Sequence, residues 1–197
     1  MKTIYLFLLA IILFASSCIQ TSGMHLRVFV FTDINIDAGD PDDRQSLVHL
    51  LWYADELRIE GIVPDRWDAR GLEACKMVVE EYAKDYINFD LDKQRYPSPS
   101  SVESTLTINK DDAIKRFKEA ASDRSSPLYV LIWGNMVNFG EALSQNPGLN
   151  ENIRVITIAT NLMKEEHIQY LPEHWEKTDK PCTQYNWNGF GRNEIYN

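Results

Sequence analysis

The sequence predicts one doubly wound α/β domain on a mostly parallel sheet, Rossmann-like in layout and incomplete at its C-terminus. Three observations predict it. Apolar runs at Leu26–Thr32, Ile59–Val63, Leu128–Trp133 and Ile153–Ala159 lack the alternation of half-exposed strands, as strands covered on both faces do. Segments with helical spacing of apolar residues separate these runs. The composition, 44% hydrophobic and 25% charged over 197 residues, is that of a globular chain long enough for a full core.

The N-terminus reads as an address. Residues 1–17 hold one positive charge, Lys2, and an apolar run too short to span a bilayer comfortably, the pattern of a secretory signal peptide. Ala15, Ser16 and Ser17 stand directly before Cys18, which resembles the lipobox of bacterial lipoproteins. That resemblance implies a diacylated Cys18 as the new N-terminus, residues 18–25 as a tether, and an exported protein that is lipid-anchored to a bacterial membrane or periplasmic. A plain secreted protein cut near this point, or an uncleaved anchor, are the alternatives. No other stretch is long and apolar enough to cross a membrane.

Leu26–Thr32 is β-branched and aromatic and is the first strand. From Pro41 to about Arg58, Leu47, Leu50, Leu51, Ala54 and Leu57 draw one stripe on a helix. Asp40 suits its N-cap, Pro41 the first helical position, and Asp42 and Asp43 the positive end of the helix dipole. Ile59–Val63 follows as the second strand. A helix is expected over Ala69–Tyr86 with Leu72, Cys75, Val79 and Tyr82 buried, then a Pro- and Ser-rich loop over residues 88–107. Lys110–Ser122 reads as a helix, Leu128–Trp133 as a strand ended by Gly134, Val137–Gln145 as a short helix, and Ile153–Ala159 as the fourth strand. Beyond Asn161 the pattern supports at most a short helix near Met163–Tyr170, and the chain is expected to be a shortened version of something longer.

The chemistry concentrates after the first strand, where residues 33–43 carry five carboxylates: Asp33, Asp37, Asp40, Asp42 and Asp43. Like charges this close repel, and a shared cation relieves the repulsion. Oxygen donors select a hard ion such as calcium or magnesium. A solvated acidic loop that caps a helix explains the same composition. Position favours the metal, because a strand-to-helix turn at the carboxyl edge of a parallel sheet is where this architecture binds ligands. An EF-hand does not fit: counted from Asp33, Ala38 and Arg44 stand where Gly and Glu are required. An aspartyl-phosphate phosphatase fits poorly, since Asn35 replaces the second Asp.

Thr32-Asp33, Pro41-Asp42-Asp43, Ser46-Leu47-Val48 and the stretch Leu51–Gly61 run in the order seen in the nucleoside hydrolase-like domain of bacterial secreted proteins named for cellulose binding. Arg95-Tyr96-Pro97-Ser98-Pro99 and Pro127–Gly134 extend the likeness, which spans about Arg27–Ala159. The chain therefore resembles that family, within the nucleoside hydrolase superfamily. The resemblance implies one calcium ion that binds ribose hydroxyls and the attacking water. Asp33, Asp43 and the backbone carbonyl of Val137, in Gly134–Asn138, match its ligands. Asp33 also matches the base for the water, Asp42 a sugar-hydroxyl ligand, and Asn186 in Tyr-Asn-Trp-Asn-Gly a sugar-binding Asn. The chain departs from the pattern in a longer acidic loop, in which Asp37 or Asp40 can replace a named ligand. It departs again at Val63–Trp67, where a Thr/Ser-rich pocket wall is usual. The family's last Asp ligand and its frequent leaving-group His have no counterpart, since His167 and His174 lie too early and read as exposed.

Twenty Lys and Arg against 29 Asp and Glu give a net charge of −9, which argues against nucleic acid as a partner. Cysteines at 18, 75 and 182 form neither a disulfide framework nor a zinc pattern. Three functions are expected in turn. The first is a calcium-dependent hydrolase of N-glycosidic bonds in nucleosides or related glycosides. The second is a non-catalytic carbohydrate-binding surface lipoprotein, possible for a polysaccharide ligand if Trp67, Trp133, Trp175 or Trp187 is exposed to stack on sugar. The third is an inactive fragment.

Overall fold

A computed structural model describes residues 25–36, 41–66, 70–134 and 136–158. Four parallel strands, β1 (Leu26–Thr32), β2 (Leu57–Pro64), β3 (Leu128–Ile132) and β4 (Ile153–Thr157), form one sheet in the order β2-β1-β3-β4. The helices are α1 (Asp42–Trp52), α2 (Gly71–Asn88), α3 (Pro99–Glu103), α4 (Lys110–Ser122) and α5 (Val137–Gln145), with a 3-10 turn at Pro147–Asn152. The doubly wound α/β class is therefore as the sequence predicts.

β1 is central, and its alternate side chains build the two layers of the core. Phe29 and Phe31 face α4 and α5, where they meet Phe117 and Phe139 with ring centroids 5.3–5.7 Å apart. Val28 and Val30 face Leu47, Leu50 and Leu51 of α1 and Ala74, Cys75 and Val78 of α2. Both faces are covered, which is why the strand reads as a continuous apolar run. Its buried Arg27 is satisfied by Glu60 at 2.7 Å and by the carbonyls of Ala120, Asp123 and Ser126 at 2.6–3.1 Å, pinning the start of β1 to the end of α4.

Two boundaries differ from the sequence pattern for local reasons. α1 stops at Trp52, where the Tyr53 amide closes on the carbonyls of His49 and Leu50. Ala54 is buried in the following turn, and Leu57 already pairs with Leu26 in the sheet. Both thus continue the apolar spacing without being helical. The expected loop at 88–107 contains α3, capped by the Ser98 hydroxyl accepting from the Ser101 amide at 3.2 Å. It then runs beside β2, with the Ile62 amide donating to the Thr105 carbonyl at 2.9 Å and the Thr107 amide to the Ile62 carbonyl at 3.0 Å. The sheet edge at β2 is covered in this way.

Candidate functional site

The connections from β1 and β3 lead to helices on opposite faces of the sheet, so the carboxyl ends of these two strands form the switch point of the fold. Asp33 follows β1 there, Gly134 lies just past β3, and Asp65 directly follows β2. The Asp33 carboxyl group rests on the Gly134 α-carbon, and a Cβ at 134 would overlap its carbon and both oxygens. Glycine at this position is thus a requirement of contact, not of backbone conformation.

Asp43 reaches the same place from the first turn of α1 and is buried. Thr32, the last residue of β1, donates its hydroxyl to Asp43 Oδ2 and accepts from the Ile34 amide at 3.1 Å. One hydroxyl therefore locks the strand end, the acidic turn and the helix start together. Burial, chiefly, holds the proton affinity of Asp43 well above the ordinary carboxylate range against the lowering effect of the Thr32 bond; Asp33 adds repulsion and a hydrogen bond to the protonated form. Asp42 is exposed beside it, and its Oδ1 accepts from the Asp43 amide at 2.9 Å. Asp33, Asp42 and Asp43 thus lie close enough to influence one another.

A second buried carboxyl group stands at this edge. Asp65 is 7% exposed and accepts from Asn138 Nδ2 through Oδ1, while its Oδ2 is buried without a hydrogen-bond partner. Burial, with Asp33 repulsion as a smaller contribution, pushes its pKa up to about 8 despite the Asn138 bond. The sequence places Asp65 only in an altered pocket wall and gives Asn138 no role. The signal for Asp65 is its position directly after a strand at the carboxyl edge, the same rule that selects Asp33. Asn138 carries no local signal, because its partner is 73 residues away.

Val137 opens α5 directly after Met136, beside this edge. Asp37, Asp40, Trp67, His167, His174, Trp175, Asn186 and Trp187 lie outside the described residues, as does Cys18. Trp133 is partly buried and packs against the core. Cys75 is buried, and desolvation raises its thiol to about 12, so it packs as an inert apolar group.

The donors here are all oxygen, hard and mutually repelling, with one buried oxygen unpaired. That chemistry fits a divalent cation of the calcium or magnesium type better than a softer metal. Among the described residues no three His, Cys, Asp or Glu side chains form a group able to hold an ion. The Asp33 and Asp43 pair would supply part of a coordination shell.

The chain belongs to the family described as cellulose-binding Sde182, nucleoside hydrolase-like domain, whose model matches residues 27–196. The match continues well past Ala159, where the motifs legible in the sequence stop. Among solved structures the chain is similar to an inosine-uridine preferring nucleoside hydrolase from Bacillus anthracis, with 15% identity and a TM-score of 0.43 over 68% of this chain. The chain spans about half the length of that protein, covering 50% of it. No curated protein matches the chain in sequence.

Proposed function

We propose that this domain hydrolyses an N-glycosidic bond of a nucleoside-like compound and depends on a calcium ion held in part by Asp33 and Asp43. The observation that carries the reading is the contact of these two carboxyl groups at the sheet's switch point. Calcium bound there would supply charge to lower the pKa of water and to hold sugar hydroxyls. The remaining work falls to the chain. Asp33 takes the proton from the attacking water, and Gly134 and Asp43 fix its position. Asp42 is exposed toward solvent and accepts a sugar hydroxyl. The Val137 carbonyl is the third oxygen donor, and Asn186 a further sugar contact. Negative charge around the site favours the positive oxocarbenium-like transition state of glycosyl transfer.

Export and a lipid anchor at Cys18 belong to the same proposal. Among the described residues no helix is long and apolar enough to cross a membrane. Mass spectrometry of the N-terminal peptide from the native host tests the anchor.

The activity is tested with a panel of nucleosides and p-nitrophenyl glycosides. Turnover that chelator abolishes and calcium restores is the expected result. Absence of metal-dependent turnover, both in this chain and in a longer relative, defeats the reading. A second reading, carbohydrate binding without catalysis, is favoured by the cellulose-binding description of the matching family.

A further inference from the structure

Trp52 and Phe89 meet on the surface at the edge of the sheet opposite the carboxylates. Their rings lie 5.7 Å apart, tilted by 54°, and remain 44% and 61% exposed. Tyr53, next to Trp52, is 66% exposed. The geometry follows from topology: α1 and α2 start at the carboxyl edge and run back, so Trp52 and Phe89 gather where their C-terminal ends meet. Single exposed apolar side chains are ordinary, but a contiguous aromatic group costs solubility and marks a contact surface.

A groove of about 350 Å³ adjoins this group, within the range of small-ligand sites. Leu57, Arg58, Gln94, Arg95 and Tyr96 line it. Tyr96 also donates its hydroxyl to the Trp52 carbonyl at 3.4 Å, which joins groove and aromatic pair into one surface. Both arginines of the groove are paired with carboxylates. Arg95 pairs with Asp55 at 2.6 Å and Glu56 at 3.1 Å, and Arg58 with Glu60 at 3.1 Å. Paired charges leave little net attraction for a phosphate or an anionic lipid. Guanidinium, amide and hydroxyl edges still offer hydrogen bonds to neutral hydroxyl groups, and aromatic faces accept the C–H faces of sugar rings.

We propose that Trp52, Phe89 and the adjoining groove bind a neutral polysaccharide chain, a β-linked glucan being the class that their chemistry and the family description together indicate. This rests on the second reading above and does not require the cation. Leu57 lines the groove at one end of β2 and Asp65 follows the other, so at ~3.3 Å per residue the two sites stand roughly 25 Å apart.

Affinity electrophoresis of the full chain in native gels containing hydroxyethyl cellulose tests the proposal. The wild-type chain should be retarded, with or without chelator, and Trp52→Ala and Phe89→Ala should each lose about tenfold in affinity, as truncated aromatic anchors do. Both positions are exposed, and unchanged thermal melts establish that the variants fold. An unretarded wild-type chain, or equal retardation of wild type and Trp52→Ala, overturns the proposal. Vesicle flotation or self-association that depends on Trp52 in an unretarded chain assigns the patch to a membrane or a second copy and also overturns it. Loss of hydrolytic activity leaves this result untouched, so the two readings fail separately.

Discussion

The carboxyl group of Asp33 lies directly on the α-carbon of Gly134, bringing the ends of the two central strands β1 and β3 into contact. This contact fixes the proposed base and cation ligand from below, while Asp43, tied to Thr32, fixes it from the side. The site thus depends on a residue with no chemistry of its own.

Gly134→Ala should displace Asp33. The added methyl group overlaps the carboxyl carbon and both oxygens, and the carboxylate, as the end of a side chain, is the part that moves. Overpacking of this kind costs about 1–3 kcal/mol of stability. Calcium affinity should fall more than stability does, because ligand position is lost directly. Calorimetry and thermal melts on the same variant check both, and unchanged calcium affinity would contradict the placement of Asp33.

Asp65 makes the metal-free chain sensitive to pH. Its folded pKa is raised from 3.8 to about 8 by burial, so the folded state binds the proton more tightly than the unfolded chain does. Its contribution to stability is therefore full below the ordinary carboxylate range and is lost as pH rises to about 8. The slope approaches ~1.4 kcal/mol per pH unit within that window. Asp43 acts in the same direction. In chelator, Asp65→Asn should flatten the fall in denaturation midpoint between about pH 5 and 8. An unchanged slope in the variant would show that Asp65 ionises freely.

Much of this was legible in the sequence because it is local. The buried strands, the stripe of Leu47, Leu50 and Leu51, and the carboxylates around Thr32 follow from pattern and from the rule that ligands gather at carboxyl edges. The extent of α1 was not, since Ala54 and Leu57 keep the helical spacing after the helix has ended. Neither was the pairing of Asp65 with Asn138, nor the seat of Asp33 on Gly134, because sheet order alone brings those residues together. Sequence pattern also could not separate the partly buried Trp133 from the exposed Trp52, as both stand at the ends of apolar segments.

The central claim is that Asp33 and Asp43 hold a divalent cation, and a calcium titration of wild type beside Asp43→Asn tests it most directly. Asparagine keeps the shape and can still accept from Thr32 but brings no charge. Removing a buried like charge should raise the thermal stability of the metal-free variant at pH 8, while saturable calcium heats seen with the wild type disappear. Equal calcium heats in the two proteins, or none in the wild type, would contradict the account.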